Sequence, residues 1–188
     1  MKMLESAEIL GADTILVIPG CVDVFFDPDA PVVPYDEVYE IVLAVLKDLA
    51  PYAEKHKVNI GVENVGNKFL LSPLEMKGLI DQVGSPYVGV YFDVGNCLGL
   101  MGYPEQWIKI LGKRIKKIHL KDYRLAVGSV EGYLDLLEGD VNWPAVMKEL
   151  RDIGYDSYLT AEMIPTYRFA PEVRIAATKL AIDKIIQM

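Results

Sequence analysis

Four short apolar runs in this sequence end on residues able to bind a metal ion or move a proton. Glu63 closes Gly61-Val62-Glu63, Asp93 closes Tyr91-Phe92-Asp93, His119 sits in Ile118-His119-Leu120, and Glu162 closes Thr160-Ala161-Glu162. Three carboxylates and one imidazole make a mixed oxygen/nitrogen set, suited to Mn²⁺, Co²⁺ or Mg²⁺ and too rich in oxygen for a structural zinc site. Each residue alone has an ordinary explanation. Asp93 and Asn96 fit as turn formers, Glu63 and Glu162 as stabilisers of a following helix N-terminus, and His119 as a satisfied core histidine. Those explanations give no reason for ligand types at all four run ends, so one divalent ion is the natural inference.

For such residues to meet, the runs must be parallel strands, because the carboxyl ends of parallel strands line one crevice. The pattern supports this. Apolar, β-branched runs at Thr14–Pro19, Asn59–Glu63, Tyr87–Asp93, Ile115–Lys121 and Ser157–Glu162 alternate with stretches of helical period, the mark of a parallel α/β fold. Ser72-Pro73-Leu74-Glu75 reads as a capping box for a helix stopping at Gly84. Asn142 precedes a helix with Pro144 in its first turn that ends near Gly154. Asp36 to Lys57 is the longest helical stretch, with Tyr39, Val42, Leu43, Leu46 and Leu49 as its core stripe and Pro51 expected to kink or divide it. Pro171 opens the last helix, whose apolar stripe is Val173, Ala176, Ala177, Leu180 and Ile185. Met1 to Leu10 reads as a helix ending at Gly11 with no strand before it, so the chain opens inside a repeating unit.

The 188 residues are 52% apolar and 24% charged, with 19 basic and 27 acidic side chains giving a net charge of −8. That composition suits one folded domain over residues 1–188. An acidic chain without a basic stripe is a poor partner for nucleic acid. No apolar run approaches the roughly 20 residues needed to span a bilayer. Only Cys21 and Cys97 occur, without metal-binding spacing, and only His56 and His119. Several-histidine metal clusters are thereby excluded, His56 reads as surface, and a cytoplasmic location is expected.

The order Glu, Asp, His, Glu, spaced by 30, 26 and 43 residues, comes with Asp93-Val94-Gly95-Asn96, Ile118-His119-Leu120-Lys121-Asp122 and Leu137-Glu138-Gly139-Asp140-Val141-Asn142-Trp143. This set resembles the xylose-isomerase-like TIM-barrel sugar isomerases and epimerases over essentially the whole chain. Within them it looks most like the L-ribulose and L-xylulose 5-phosphate 3-epimerases and the proteins described as hexulose-6-phosphate isomerases. Two positions depart from related patterns: Asn96 stands where epimerases of free ketoses commonly carry His, and Leu137 where Gly is usual.

The resemblance implies an α/β fold of (β/α) TIM-barrel type, here incomplete, with about five parallel strands and without the first three βα units of a full barrel. It implies one divalent ion, Mn²⁺ first and Co²⁺, Mg²⁺ or Zn²⁺ otherwise, held by Glu63, Asp93, His119 and Glu162. Glu63 and Glu162 would also be the acid/base pair that inverts C3 of a ketose or ketose phosphate through an enediolate. Asn64, Asn96, Lys121 and Arg124 would contact substrate, and Asp122 would orient His119 or cap its loop. Aldose–ketose isomerisation and inosose-type dehydration begin with the same proton abstraction and stay open, as does an inactive fragment or binding module. Exposed edge strands in a partial barrel imply a homodimer.

Overall fold

A computed structural model describes residues 1–24, 29–163 and 168–188. The chain runs α1 (Lys2–Leu10), β1 (Thr14–Val17), α2 (Tyr35–His56), β2 (Asn59–Glu63), α3 (Pro73–Val83), β3 (Val88–Asp93), α4 (Val94–Gly99), α5 (Pro104–Leu111), β4 (Ile115–Leu120), β5 (Asp122–Tyr123), β6 (Tyr133–Leu134), α6 (Trp143–Asp152), β7 (Leu159–Ala161) and α7 (Pro171–Ile185). It is an α/β fold of incomplete TIM-barrel type, with five parallel strands in the order β1-β2-β3-β4-β7 and β5 and β6 forming a separate antiparallel pair. All five expected strands are present. β1 and β7 are shorter than expected, at four and three residues.

Contacts divide the chain into one unit of Met1–Phe92 with Lys113–Lys117 and another of Asp93–Gly112 with Ile118–Met188. In the first unit, Thr14 to Val17 pair with Asn59 to Val62, and Ile60 to Glu63 pair with Val88 to Tyr91. Ile60, Val62, Val90 and Phe92 are fully buried under helices whose apolar faces include Leu4, Leu46, Ala53, Met76 and Leu79. The Ser72 capping box is formed, its hydroxyl accepting from Glu75 N–H while the Glu75 carboxylate accepts from Ser72 N–H. His56, expected at the surface, is only 12% exposed in its side chain and lies 2.7 Å from Glu8.

Pro51 neither kinks α2 into two nor ends it; one 22-residue helix runs through. Pro51 faces solvent, where water can satisfy the Lys47 carbonyl that Pro51, having no N–H, leaves without its helical donor. The buried stripe is Val38, Val42, Leu46, Ala50 and Ala53, rotated from the expected one so that Tyr39, Leu43 and Leu49 are half-buried.

In the second unit, Ile118, His119 and Leu120 pair with Leu159, Thr160 and Ala161, and Glu162 N–H extends the ladder to Leu120 O at 3.0 Å. α6 starts as expected on Asn142, whose side chain accepts from Ala145 N–H. The stripe expected to bury α7 does not do so. Only Arg174 and Ile185 of that helix are buried, and Val173, Ile175 and Leu180 are exposed. Beside α7 lies an apolar hollow of about 470 Å³, lined by Ala161, Met163, Ile175 and Ile182 among others.

Candidate active site

Asp93 is the last residue of β3 and the N-cap of α4. Its Oδ1 accepts from Asn96 N–H at 2.6 Å, which fixes the carboxylate and leaves Oδ2 turned toward β4. His119 Nδ1 lies 3.7 Å from Asp93 Oδ2 and 3.1 Å from Glu162 Oε2. Alternation along β4 places this imidazole, and the neighbour relation of β4 to β7 brings Glu162 beside it. One ligand-capable atom from each of Asp93, His119 and Glu162 lies within 4.8 Å of the others.

Two carboxylate oxygens and an imidazole nitrogen at that separation fit a hard or borderline divalent ion. Glu162 Oε2 supports the fit, being a buried oxygen with no well-aligned hydrogen bond although the His119 ring and the Lys121 ammonium face it. The contact with His119, set against partial burial and reinforced by Lys121, holds the Glu162 carboxyl at about 2. Glu162 is therefore an anion at neutral pH, able to act as ligand or base.

Lys121 is the unexpected feature. Its side chain is 4% exposed, and Nζ lies 3.0 Å from Asp93 Oδ2, 2.8 Å from Glu162 Oε2 and 3.2 Å from Asn96 Oδ1. Burial opposes its charge, but Asp93 and Glu162 more than offset that and raise its pKa. The ring of Tyr133 lies 5.0 Å from Nζ, and the Tyr133 hydroxyl donates to Asn96 Oδ1 at 2.7 Å. Burial, the largest influence, pushes that phenol up to about 12. Tyr133 was not foreseen from the sequence, because a tyrosine on a two-residue strand has no periodicity to mark it.

Asp122 takes the loop-capping role rather than orienting His119. Its fully buried carboxylate accepts from the N–H groups of Tyr123, Leu137 and Val141 and from Trp143 Nε1. Leu137 adopts φ +77°, the conformation glycine favours, and its N–H is one of those Asp122 holds. Gly139 in the same loop has no room for a side chain, since a Cβ there would lie 2.1 Å from Asp122 Oδ1. Arg124 is on an exposed part of the loop, donating to Glu138 O at 2.6 Å. Glu63 ends β2 in the first unit, with Asn64 next to it; both are buried, at 5% and 2% exposure. Free Cys97 is buried, and burial pushes its thiol well up, away from nucleophilic use.

Parallel strands joined by helices, with polar groups gathered at the strand ends, define the class of (β/α) barrel proteins. A family model described as the xylose isomerase-like TIM barrel matches residues 1–183. The chain belongs to that family. It is 25% identical over 165 residues to an uncharacterized protein of Methanocaldococcus jannaschii, a match covering 85% of this chain and 53% of the relative. Among solved structures, the IolI protein with a bound zinc atom superposes with a TM-score of 0.82 at 18% identity, over 98% of this chain and 66% of that one. An L-ribulose 3-epimerase gives 0.80 at 15% identity, over 99% and 65%. The chain thus spans about half the length of the curated relative and about two thirds of these structures. Among the described residues, no helix is long and apolar enough to cross a membrane.

Proposed function

We propose that this chain carries the metal-binding and proton-transfer part of a sugar or sugar phosphate 3-epimerase. The observation that supports it most is the convergence of Asp93, His119 and Glu162 on one small volume. Glu63 joins them as the proposed fourth ligand on the strength of the sequence pattern. It pairs with Tyr91, two residues before Asp93 on the neighbouring strand, and in a parallel sheet that register turns both carboxylates to the same edge. A divalent ion held there, Mn²⁺ by preference, would polarise the ketose carbonyl and the adjacent hydroxyl and so acidify the C3 hydrogen.

The remaining work belongs to side chains. One of Glu63 and Glu162 removes the C3 proton, and the other returns a proton to the opposite face, which inverts the centre without an organic cofactor. Asn64 and Asn96 orient substrate hydroxyls through their amides, and Lys121 and Arg124 supply positive charge for an oxyanion or phosphate. Asn96 is held by Tyr133, so its amide presents a fixed orientation. The test is Mn²⁺ titration followed by electron paramagnetic resonance. One ion per chain is expected, with affinity falling at least about tenfold in Glu162→Gln, the cost of losing a charged ligand. Wild-type affinity in that variant would remove Glu162 from the ligand set.

A further inference from the structure

Lys121 brings a positive charge to the two oxygens best placed to receive a metal ion. Lysines are rarely fully buried unless paired, and this one is built in. Its stem lies against Gly95, where a Cβ would stand 2.7 Å from Lys121 Cβ and 2.8 Å from its carbonyl carbon. Its ammonium touches Asp93 Oδ2 and Glu162 Oε2 at 3.0 and 2.8 Å. It also meets two neutral groups, Asn96 Oδ1 at 3.2 Å and the face of Tyr133.

We propose that Lys121 is a tethered cation that competes with the divalent ion for Asp93 Oδ2 and Glu162 Oε2, moving onto Asn96 and Tyr133 when the ion takes the carboxylates. The proposal rests on the metal site argued above. A divalent ion bound to both oxygens would lie within a few ångströms of the present ammonium position, and two cations so close repel strongly where water is excluded. The oxygens therefore serve one cation or the other. Asn96 and Tyr133 give the ammonium a neutral resting place, since a carbonyl oxygen and an aromatic face both attract a cation. The lysine keeps the carboxylates from repelling each other before the ion arrives, and it lowers the affinity for the ion by the strength of its own pairing.

The experiment compares wild type with Lys121→Met, which keeps most of the stem and removes the charge. Calorimetric titration with Mn²⁺ and thermal unfolding with and without Mn²⁺ are the readouts. Competition predicts that Lys121→Met binds Mn²⁺ at least about tenfold more tightly, given the coupling energies of close charge pairs. It also predicts a lower unfolding midpoint without metal that Mn²⁺ restores. A folded variant with unchanged or weaker Mn²⁺ affinity would overturn the proposal while leaving the metal site standing. If neither protein binds a divalent ion, the metal-site reading itself fails and the competition with it. Should the variant not fold, the wild type still decides: with ¹⁵N-labelled lysine, Mg²⁺ saturation should shift a single side-chain ammonium signal, and no shift at saturation overturns the exchange.

Discussion

The surroundings of a side chain set its charge state, and Lys117 with Asp13 shows how. Burial tends to raise the Asp13 carboxyl, but Lys117, with Nζ 2.9 Å away, more than offsets this and holds it below its ordinary 3.8. Because the folded pKa lies below the unfolded one, the pairing contributes stability above 3.8 that is lost as pH falls through the folded value. The Asp13 side chain is 62% exposed, so solvent screening limits the contribution to about 1 kcal/mol. Asp13→Asn should lower the urea midpoint at pH 7, and the gap from wild type should close on acidification. A gap that widens in acid would contradict the assignment. Among the site residues, the types and positions of Asp93, His119 and Glu162 were legible because each ends or nearly ends a strand. The pairing of Lys121 with two of them was not, since its spacing of two from His119 says nothing about which oxygens it reaches.

At the level of elements, caps and strand cores are local and read directly: Ser72 with Glu75, Asn142 at α6, and the apolar runs of β2 and β3. Pro51 was misread because its effect depends on which face of α2 it occupies, and only packing decides that. With the missing hydrogen bond turned to water, the helix retains a cost that alanine would remove. Pro51→Ala should therefore stabilise the protein by about 1–2 kcal/mol, below the roughly 3 kcal/mol of an interior helix position. Chemical denaturation measures it, and a destabilised variant would show that the proline matches a bend the core requires. Leu137 was also open in the sequence. The four hydrogen bonds that Asp122 accepts hold a loop in which a leucine takes a glycine conformation, a long-range effect that no local motif reveals.

For the whole molecule, periodicity showed that α7 has an apolar stripe but not whether anything covers it. Val173 and Leu180 stand exposed, Ile175 lines an apolar hollow on another face of the helix, and among the described residues β1 and β7 each have a sheet neighbour on one side only. Unpaired strand edges and uncovered apolar surface favour association. Light scattering on the 188-residue chain should find a dimer or larger species at micromolar concentration, and a monodisperse, thermally stable monomer would contradict this. The central claim concerns a proton at C3, and isotope exchange reads that proton directly. The chain is incubated with Mn²⁺ and a pentulose 5-phosphate in D₂O, and the sugar is analysed by NMR. Deuterium should enter at C3 with wild type and be reduced about 10²- to 10⁴-fold in Glu162→Gln, the usual span for losing a general acid/base. Deuterium confined to C1 or C2 of an aldose product, or equal C3 exchange in Glu162→Gln, would contradict it.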